Sequence, residues 1–365
     1  MFWVIRKKGY HGLSGGLKLL LITAFFFFRL PSAQASNLTG INLGSDGDGV
    51  GISFALKDQA TLVFSYFNAN TAALEYGQYQ NSTFSTEIVD SSLISVPTTN
   101  VDSNITVTSS TALVLIQGVP HIVYFNSRSG ELRHAWKAGG VWNKETIDVL
   151  SQGGGNPAAV ACGASLCISY FDNASKNLRF AKGIQGSWSL ETVDSSPSSV
   201  GAMSDIAVKP DGLPVIAYYD ASNYLLKAAV KLQSGKWSIE QLPNLGYHYG
   251  LYPSIAVGTD GSIHISASHY KNTSTKSDST VYYAVKESNG GWLLSPISDS
   301  YAGGSTSIVL DSSNNPHVAY RYLRYNTIYG DESAVEVASL TSSGLWQFER
   351  LSGEYGSAGA IYDYK

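Results

Sequence analysis

The chain has 365 residues, of which 44% are hydrophobic and only 14% charged, with a formal charge of −4. This is enough apolar material for a packed core and excludes a charge-rich disordered protein. Residues 1–35 hold five basic residues (Arg6, Lys7, Lys8, Lys18, Arg29) and no acidic one, so the remainder carries 19 Lys+Arg against 28 Asp+Glu, a formal charge of −9. A chain of that balance has no electrostatic reason to seek nucleic acid or anionic lipid.

Arg6, Lys7 and Lys8 precede an apolar block from Leu19 to Phe28 and the stretch LPSAQA ending at Ala35. A basic flank, a short apolar core and small residues at Ala33 and Ala35 predict a secretory signal peptide over 1–35, cut before Ser36. A retained anchor is the other reading, but the apolar block is too short for a ~30 Å hydrocarbon layer. Residues 36–50 read as a connector. Its GSDGDG stretch, with Asp46 and Asp48, alternates as a calcium loop does but lacks the liganding Glu of a helix-loop-helix site.

From residue 51 onward one pattern recurs, clearest from Ile206 to Glu240: IAVKPDGLPVIAYYDASNYLLKAAVKLQSGKWSIE. It reads as an apolar strand, a Pro-Asp-Gly turn, a second strand ending in Tyr-Tyr-Asp, then a third strand and a fourth carrying a Trp. Six copies can be laid out, at about Gly51–Asp90, Ile105–Leu150, Pro157–Asp194, Ile206–Leu245, Pro253–Ser300 and Thr306–Leu351. Four short antiparallel strands repeated about every 50 residues predict an all-β fold, a six-bladed β-propeller of four-stranded antiparallel blades spanning 51–365. The final EYGSAGAIYDYK resembles the start of a further repeat. It either pairs with the 36–49 region to close the ring or belongs to a seventh, truncated blade.

Trp142, Trp188, Trp237, Trp292 and Trp346 open the fourth strand in five copies and Phe84 in the first. One large ring at a fixed place per repeat predicts a wedge between blades, with an aromatic sugar platform as the alternative. Asn68, Asn126, Asp172 and Asp220 end the second strand and are expected to cap the following turn. His121, His264 and His317 share one place in that strand, an architectural position unless three of them meet in the channel. Cys162 and Cys167 flank the turn in ACGASLCI. Facing strands beside a hairpin bring such a pair within disulfide reach, and a metal-binding CxxxxC pair is the alternative. No metal site and no cofactor is expected, and no G-x-S-x-G, H-E-x-x-H, P-loop or dinucleotide motif is present.

Connectivity separates two faces. Turns joining first to second and third to fourth strands are uniformly short (KPDG, GTDG, QSGK), whereas the opposite connections lengthen at Tyr270–Ser279 and Tyr322–Asp331 and in the linker LGYHYGLY. Function in repeat scaffolds sits where loops are long and irregular. The candidate ligand-binding residues there are Tyr247, His248, Tyr249, Tyr252, His269, Tyr270, Tyr301, Arg321, Tyr322, Arg324 and Tyr325, with Tyr329 beside them. Tyrosines with interspersed His and Arg combine apolar faces with polar tips, a mixture that grips sugars or extended peptides.

The D-G-x-P-x-hydrophobic-A-Y-Y-D segment and the G-x-W strand resemble the bacterial sialidase-like, BNR-type β-propeller repeats of exported proteins, over nearly all of the chain after residue 50. The resemblance implies the propeller fold. The family's Asp-box, S-x-D-x-G-x-x-W, is not intact, since the corresponding turns read QSGKWS and IQGSWS, and neither the arginine triad nor the Tyr-Glu pair can be placed. Sialidase activity is therefore not carried over, and the similar scaffold of lectins is the preferred parallel. The expected function is an exported, non-catalytic module, secreted or periplasmic, that recognises a glycan or an extracellular protein. The alternative is a glycoside hydrolase or lyase with carboxylates such as Asp205 or Asp299 at the central channel.

Overall fold

The computed structural model describes residues 3–8, 21–26, 40–42 and 49–355, apart from residues 82, 94, 96–97, 101–105, 109, 152, 196–198, 247, 271–278, 288–289, 299–301 and 325–331. Six antiparallel sheets of four strands, each paired in sequence order, form a six-bladed β-propeller. Blade 1 comprises Gly49–Leu56, Leu62–Asn68, Ala73–Gln80 and Thr83–Asp90; blade 2, Ala112–Ile116, Val119–Asn126, Glu131–Ala138 and Val141–Val149. Blade 3 comprises Gly154–Cys162, Ser165–Asp172, Asn177–Ile184 and Ser187–Asp194; blade 4, Val200–Val208, Pro214–Asp220, Leu225–Lys231 and Trp237–Gln241. Blade 5 comprises Tyr249–Val257, Ile263–Tyr270, Ser279–Lys286 and Trp292–Pro296; blade 6, Ala302–Leu310, Pro316–Arg324, Glu332–Leu340 and Trp346–Tyr355. First strands pack on first strands from blade 1 through blade 6 and form the inner ring. Trp3–Lys8, Leu21–Phe26 and Gly40–Asn42 pair with one another in a separate small sheet. Asp46, Asp48 and all but the first two residues of EYGSAGAIYDYK lie outside the described residues.

The tryptophans are wedges. Trp142 meets Tyr76 of blade 1 with ring centroids 5.2 Å apart, Trp237 meets Phe180 of blade 3 at 5.1 Å, and Trp346 meets Tyr283 of blade 5 at 5.4 Å. Four of the five wedge tryptophans also carry a polar anchor that sequence reading missed. The indole N–H groups of Trp142, Trp188, Trp237 and Trp292 donate to Glu87, Glu145, Glu191 and Glu240 of the preceding blade, at 3.1, 3.1, 2.8 and 2.9 Å. A lysine of the next blade also binds three of these carboxylates: Lys137 on Glu87, Lys231 on Glu191 and Lys286 on Glu240.

A deeper set of bonds crosses the same seams. Asp90, Asp148 and Asp194, at the ends of fourth strands, accept from the hydroxyls of Tyr124, Tyr170 and Tyr218 in the next blade at 2.6, 2.7 and 2.6 Å. Opposite those tyrosines stand Arg133, Arg179 and Lys227, which pair with the same carboxylates at 3.1, 3.5 and 3.3 Å. Burial opposes ionisation of Asp90, yet Tyr124, Ser92 and Lys144 hold its carboxyl down to about 2. Where no Asp ends the fourth strand, the facing residue changes. Blade 5 has Ser298 and blade 6 has Ser352 at that place, and the cation position holds Glu336 in blade 6 and Glu75 in blade 1, bonded by Tyr320 and Tyr66 of their own blades.

Near the axis the blades associate in pairs. Hydroxyl bonds join Ser65 to Thr111 at 2.8 Å, Ser169 to Ser204 at 2.9 Å and Ser266 to Thr306 at 2.8 Å, linking blades 1 with 2, 3 with 4, and 5 with 6. The first strands of the odd blades share a left-handed residue: Gly51 (φ 64°), Asn156 (φ 48°) and Tyr252 (φ 51°). Other contacts join the pairs, among them Ser110 Oγ to Asn156 Oδ1 at 2.9 Å.

The second-strand Asn and Asp residues cap their turns as expected. Asn126 Oδ1 accepts from the N–H groups of Arg128 and Ser129 at 2.9 and 3.2 Å, and Asp220 Oδ1 from those of Ser222 and Asn223 at 3.1 Å each. Cys162 and Cys167 form a disulfide across the hairpin of blade 3, with Cα atoms 5.7 Å apart. Its span is diagonal, since Cys162 faces Ser165 and Cys167 faces Val160.

Breaking one seam carboxylate tests this arrangement. Asp194→Ala removes the carboxylate that Lys227 and the Tyr218 hydroxyl share; the expected loss is about 3 kcal/mol by urea unfolding. The triple change Asp194→Ala, Tyr218→Phe, Lys227→Met should recover much of that loss, and a single change without effect would contradict the seam account.

Candidate functional site

Blades 5 and 6 depart from the repeat at the end of the second strand. Asn68, Asp172 and Asp220 face Gly49, Gly154 and Val200 of their first strands. At the same register His269 faces Tyr249 and Tyr322 faces Ala302. The cap is lost in the two blades where the following connection is long, so the aromatic side chains there are not required by a tight turn.

The candidate residues fall into separate groups. Tyr249 is fully buried at the start of the first strand of blade 5, in the seam with blade 4 rather than in a loop. Its ring lies edge-on to His269 at 6.1 Å and to Tyr282 at 5.9 Å. Tyr282 occupies the place of the cations Arg133, Arg179 and Lys227, and Ala267 that of Tyr218. This seam has therefore exchanged its buried ion pair for aromatic packing, and burial pushes the Tyr249 hydroxyl pKa far up. Among the described residues that hydroxyl has no hydrogen-bond partner.

His248, also buried and left-handed (φ 46°), shares a 2.9 Å hydrogen bond with the Tyr219 hydroxyl and lies 4.5 Å from the Tyr224 ring. Half-buried Tyr252 and Tyr270 pack on a cluster that includes Phe171, Met203, Tyr219 and Leu251, drawn from blades 3, 4 and 5. The Tyr252 N–H points at Met203 Sδ, 3.3 Å away. Tyr252 keeps a left-handed backbone where blade 1 uses Gly51 and blade 3 uses Asn156, a conformation that costs a bulky residue roughly 1–3 kcal/mol. In blade 6, half-buried Arg321 lies against Gly304, and the Arg350 guanidinium sits 4.4 Å from the Tyr322 ring while pairing with Glu336 at 3.5 Å. Arg324 ends its strand opposite Glu332. Tyr247, Tyr301, Tyr325 and Tyr329 lie outside the described residues.

Sequence reading missed Phe171, Met203, Tyr219, Tyr224 and Tyr282. Only Tyr282 had a usable signal, an aromatic in a register otherwise filled by Arg, Lys or Glu.

The three recurring histidines each bond the third strand of their own blade: His121 Nδ1 to His134 Nε2 at 2.8 Å, His264 Nδ1 to Tyr283 Oη at 2.6 Å and His317 Nδ1 to Ser339 Oγ at 2.7 Å. Burial, reinforced for His121 by neighbouring His134, brings His121 and His264 down to about 4. Asp205 is engaged across the seam between blades 4 and 5, accepting from Ser254 Oγ at 3.1 Å and Ile255 N–H at 3.0 Å. Asp299 lies outside the described residues.

No protein-family model matches the sequence, and a search of curated proteins finds no match. Solved structures share the architecture. A leech intramolecular trans-sialidase is 10% identical with a TM-score of 0.51, covering 85% of this chain and 68% of that one. The polysaccharide lyase Uly1 is 12% identical with a TM-score of 0.50, covering 91% and 86%. A prolyl endopeptidase is 7% identical with a TM-score of 0.53, covering 97% and 51%. At these identities the likeness is one of fold.

Two measurements probe these environments. Tyr249→Phe removes a buried hydroxyl that no described group satisfies and should leave stability unchanged or raise it by about 1 kcal/mol, whereas Tyr249→Ala should cost about 3 kcal/mol; a large loss with Phe would reveal an essential bond. Because His121 and His264 fold as neutral imidazoles, the unfolded chain binds protons between pH 6.5 and about 4 that the folded chain does not. Stability is therefore full above pH 6.5 and should fall by on the order of 3 kcal/mol per histidine across that window. The thermal midpoint should track this decline and flatten in His264→Val, which takes the residue of the matching Val215; an unchanged slope would count against it.

Proposed function

We propose that the protein is an exported carbohydrate-recognising propeller that holds its ligand on the face of the long connections in blades 5 and 6, without catalysing a reaction. The observation that carries this reading is the replacement of the turn-capping Asn or Asp by His269 and Tyr322 next to half-buried Tyr252 and Tyr270. Aromatic rings held on strands, with Arg321 nearby, offer the apolar faces and donors that saccharides use. Two fold neighbours, a trans-sialidase and a polysaccharide lyase, are named for carbohydrates, and a third, a prolyl endopeptidase, for peptides. Asp205 is bonded across a seam, which favours binding over carboxylate catalysis at that residue. The disulfide favours an oxidising compartment, consistent with the signal peptide expected over residues 1–35.

A glycan array probed with the folded protein should give reproducible hits that weaken at least tenfold in Tyr270→Ala. A blank array together with positive capture of a surface protein would replace the glycan reading by a protein ligand. Turnover of a bound polysaccharide, abolished by changing one carboxylate, would overturn the non-catalytic reading.

A further inference from the structure

The opposite face holds a groove whose origin lies in a repeated turn. Lys209–Leu213, Gly258–Ser262 and Asp311–Asn315 join the first and second strands of blades 4, 5 and 6 and close with the same two backbone bonds. In blade 4 these are Lys209 N–H to Leu213 O at 2.9 Å and Gly212 N–H to Lys209 O at 2.8 Å. The fourth residue is left-handed in all three: Gly212 (φ 81°), Gly261 (φ 84°) and Asn314 (φ 61°). In blade 6 the Asn314 carboxamide reaches across to blade 5, accepting from the N–H and hydroxyl of Thr259 at 3.0 and 3.2 Å, and staples that seam.

Between blades 4 and 5 both halves of the staple are missing. Gly261 stands where Asn314 would, and Pro210, which has no N–H to donate, stands where Thr259 would. A Cβ built on Gly261 meets nothing within 4 Å. At this point a groove of about 360 Å³ opens, with Val230 and Ile263 among its lining residues and Pro210 beside them. The volume falls in the range of small-molecule sites.

The rim alternates donors and acceptors. Lys209 Nζ lies 2.9 Å from Asp211 Oδ2, and Lys286 Nζ bonds both oxygens of Glu240 at 2.6 Å. Both ammonium groups are thus already matched by carboxylates, while Asp260 and Glu287 add further negative charge. An anionic ligand would meet carboxylate in excess. Hydroxyl groups suit the rim better, because each donates to a carboxylate and accepts from an ammonium at once, and the aliphatic lining suits the C–H side of a sugar ring.

We infer that this groove is a second ligand site, taking an uncharged saccharide residue. The ligand class rests on the carbohydrate reading above; the position of the site does not. The test is saturation-transfer NMR on the full chain with neutral hexoses and N-acetylhexosamines, with sialic and uronic acids as anionic controls. At least one neutral sugar should give signal, weakened tenfold or more in Gly261→Asn, where Asn accepts the left-handed backbone and fills the groove as Asn314 fills its neighbour. Glu287→Ala, at an exposed rim position, should weaken it too and serves if the first variant fails to fold. Signal from the anionic sugars alone overturns the ligand class. Neutral-sugar signal that survives both variants but is lost in Tyr270→Ala overturns the groove and keeps the loop-face reading. A blank result with every sugar overturns both.

Discussion

A four-stranded sheet has two faces to bury and can bury neither by itself, so the seams between blades govern this fold. At each described seam from blade 1 to blade 5 a tryptophan at the head of one fourth strand donates to a glutamate three residues into the previous fourth strand. Deeper in the first three seams, an aspartate takes a tyrosine hydroxyl and a cation from the next blade. An ionised group in such a place must be matched, since an unpaired buried charge costs several kcal/mol. That requirement explains the Arg or Lys that faces each of the three aspartates; in blade 6, where the preceding fourth strand has Ser298, Glu336 takes the cation's place and pairs with Arg350 of its own blade. The tryptophan supplies apolar area, and the carboxylates fix which surfaces meet.

Much of the architecture was legible in the sequence because it is local. Alternating apolar residues, Pro-Asp-Gly turns, capping Asn and Asp and the Trp at the head of the fourth strand all lie within one repeat. The seam bonds were not, although the glutamates stand in plain view in WNKE, WSLE and WSIE. The partner of Glu191 lies 46 residues further on, and no periodicity within a blade points to it. The starts of the inner strands were also hidden. Left-handed glycines such as Gly201 and Gly250 bulge these strands and break their period of two. Tyr249, read as part of a loop, is for this reason a buried strand residue.

The same seam logic locates the places where the chain is released from structural duty. In the seam between blades 4 and 5 the packing of Tyr249, His269 and Tyr282 replaces the deeper aspartate–cation pair of the earlier seams, and on the opposite face the staple that Asn314 provides one blade later is lacking. The second strands of blades 5 and 6 have lost the capping residue that blades 1 to 4 retain. Residues that recur from blade to blade are tied into the scaffold, including the five tryptophans and the three equivalent histidines, whose Nδ1 atoms all bond the neighbouring strand. Sequence reading pointed to blades 5 and 6 and the linker before them through loop length alone; the side-chain groupings depend on contacts across a seam.

We propose that recognition resides where the repeat is broken, in blades 4 to 6, with blades 1 to 3 as scaffold. Amide hydrogen exchange of the full chain, with and without a saturating oligosaccharide, tests it most directly. The account predicts added protection in peptides covering residues 206–213, 248–270 or 302–322, with blades 1 to 3 unchanged. Protection confined to blades 1 to 3 would contradict it.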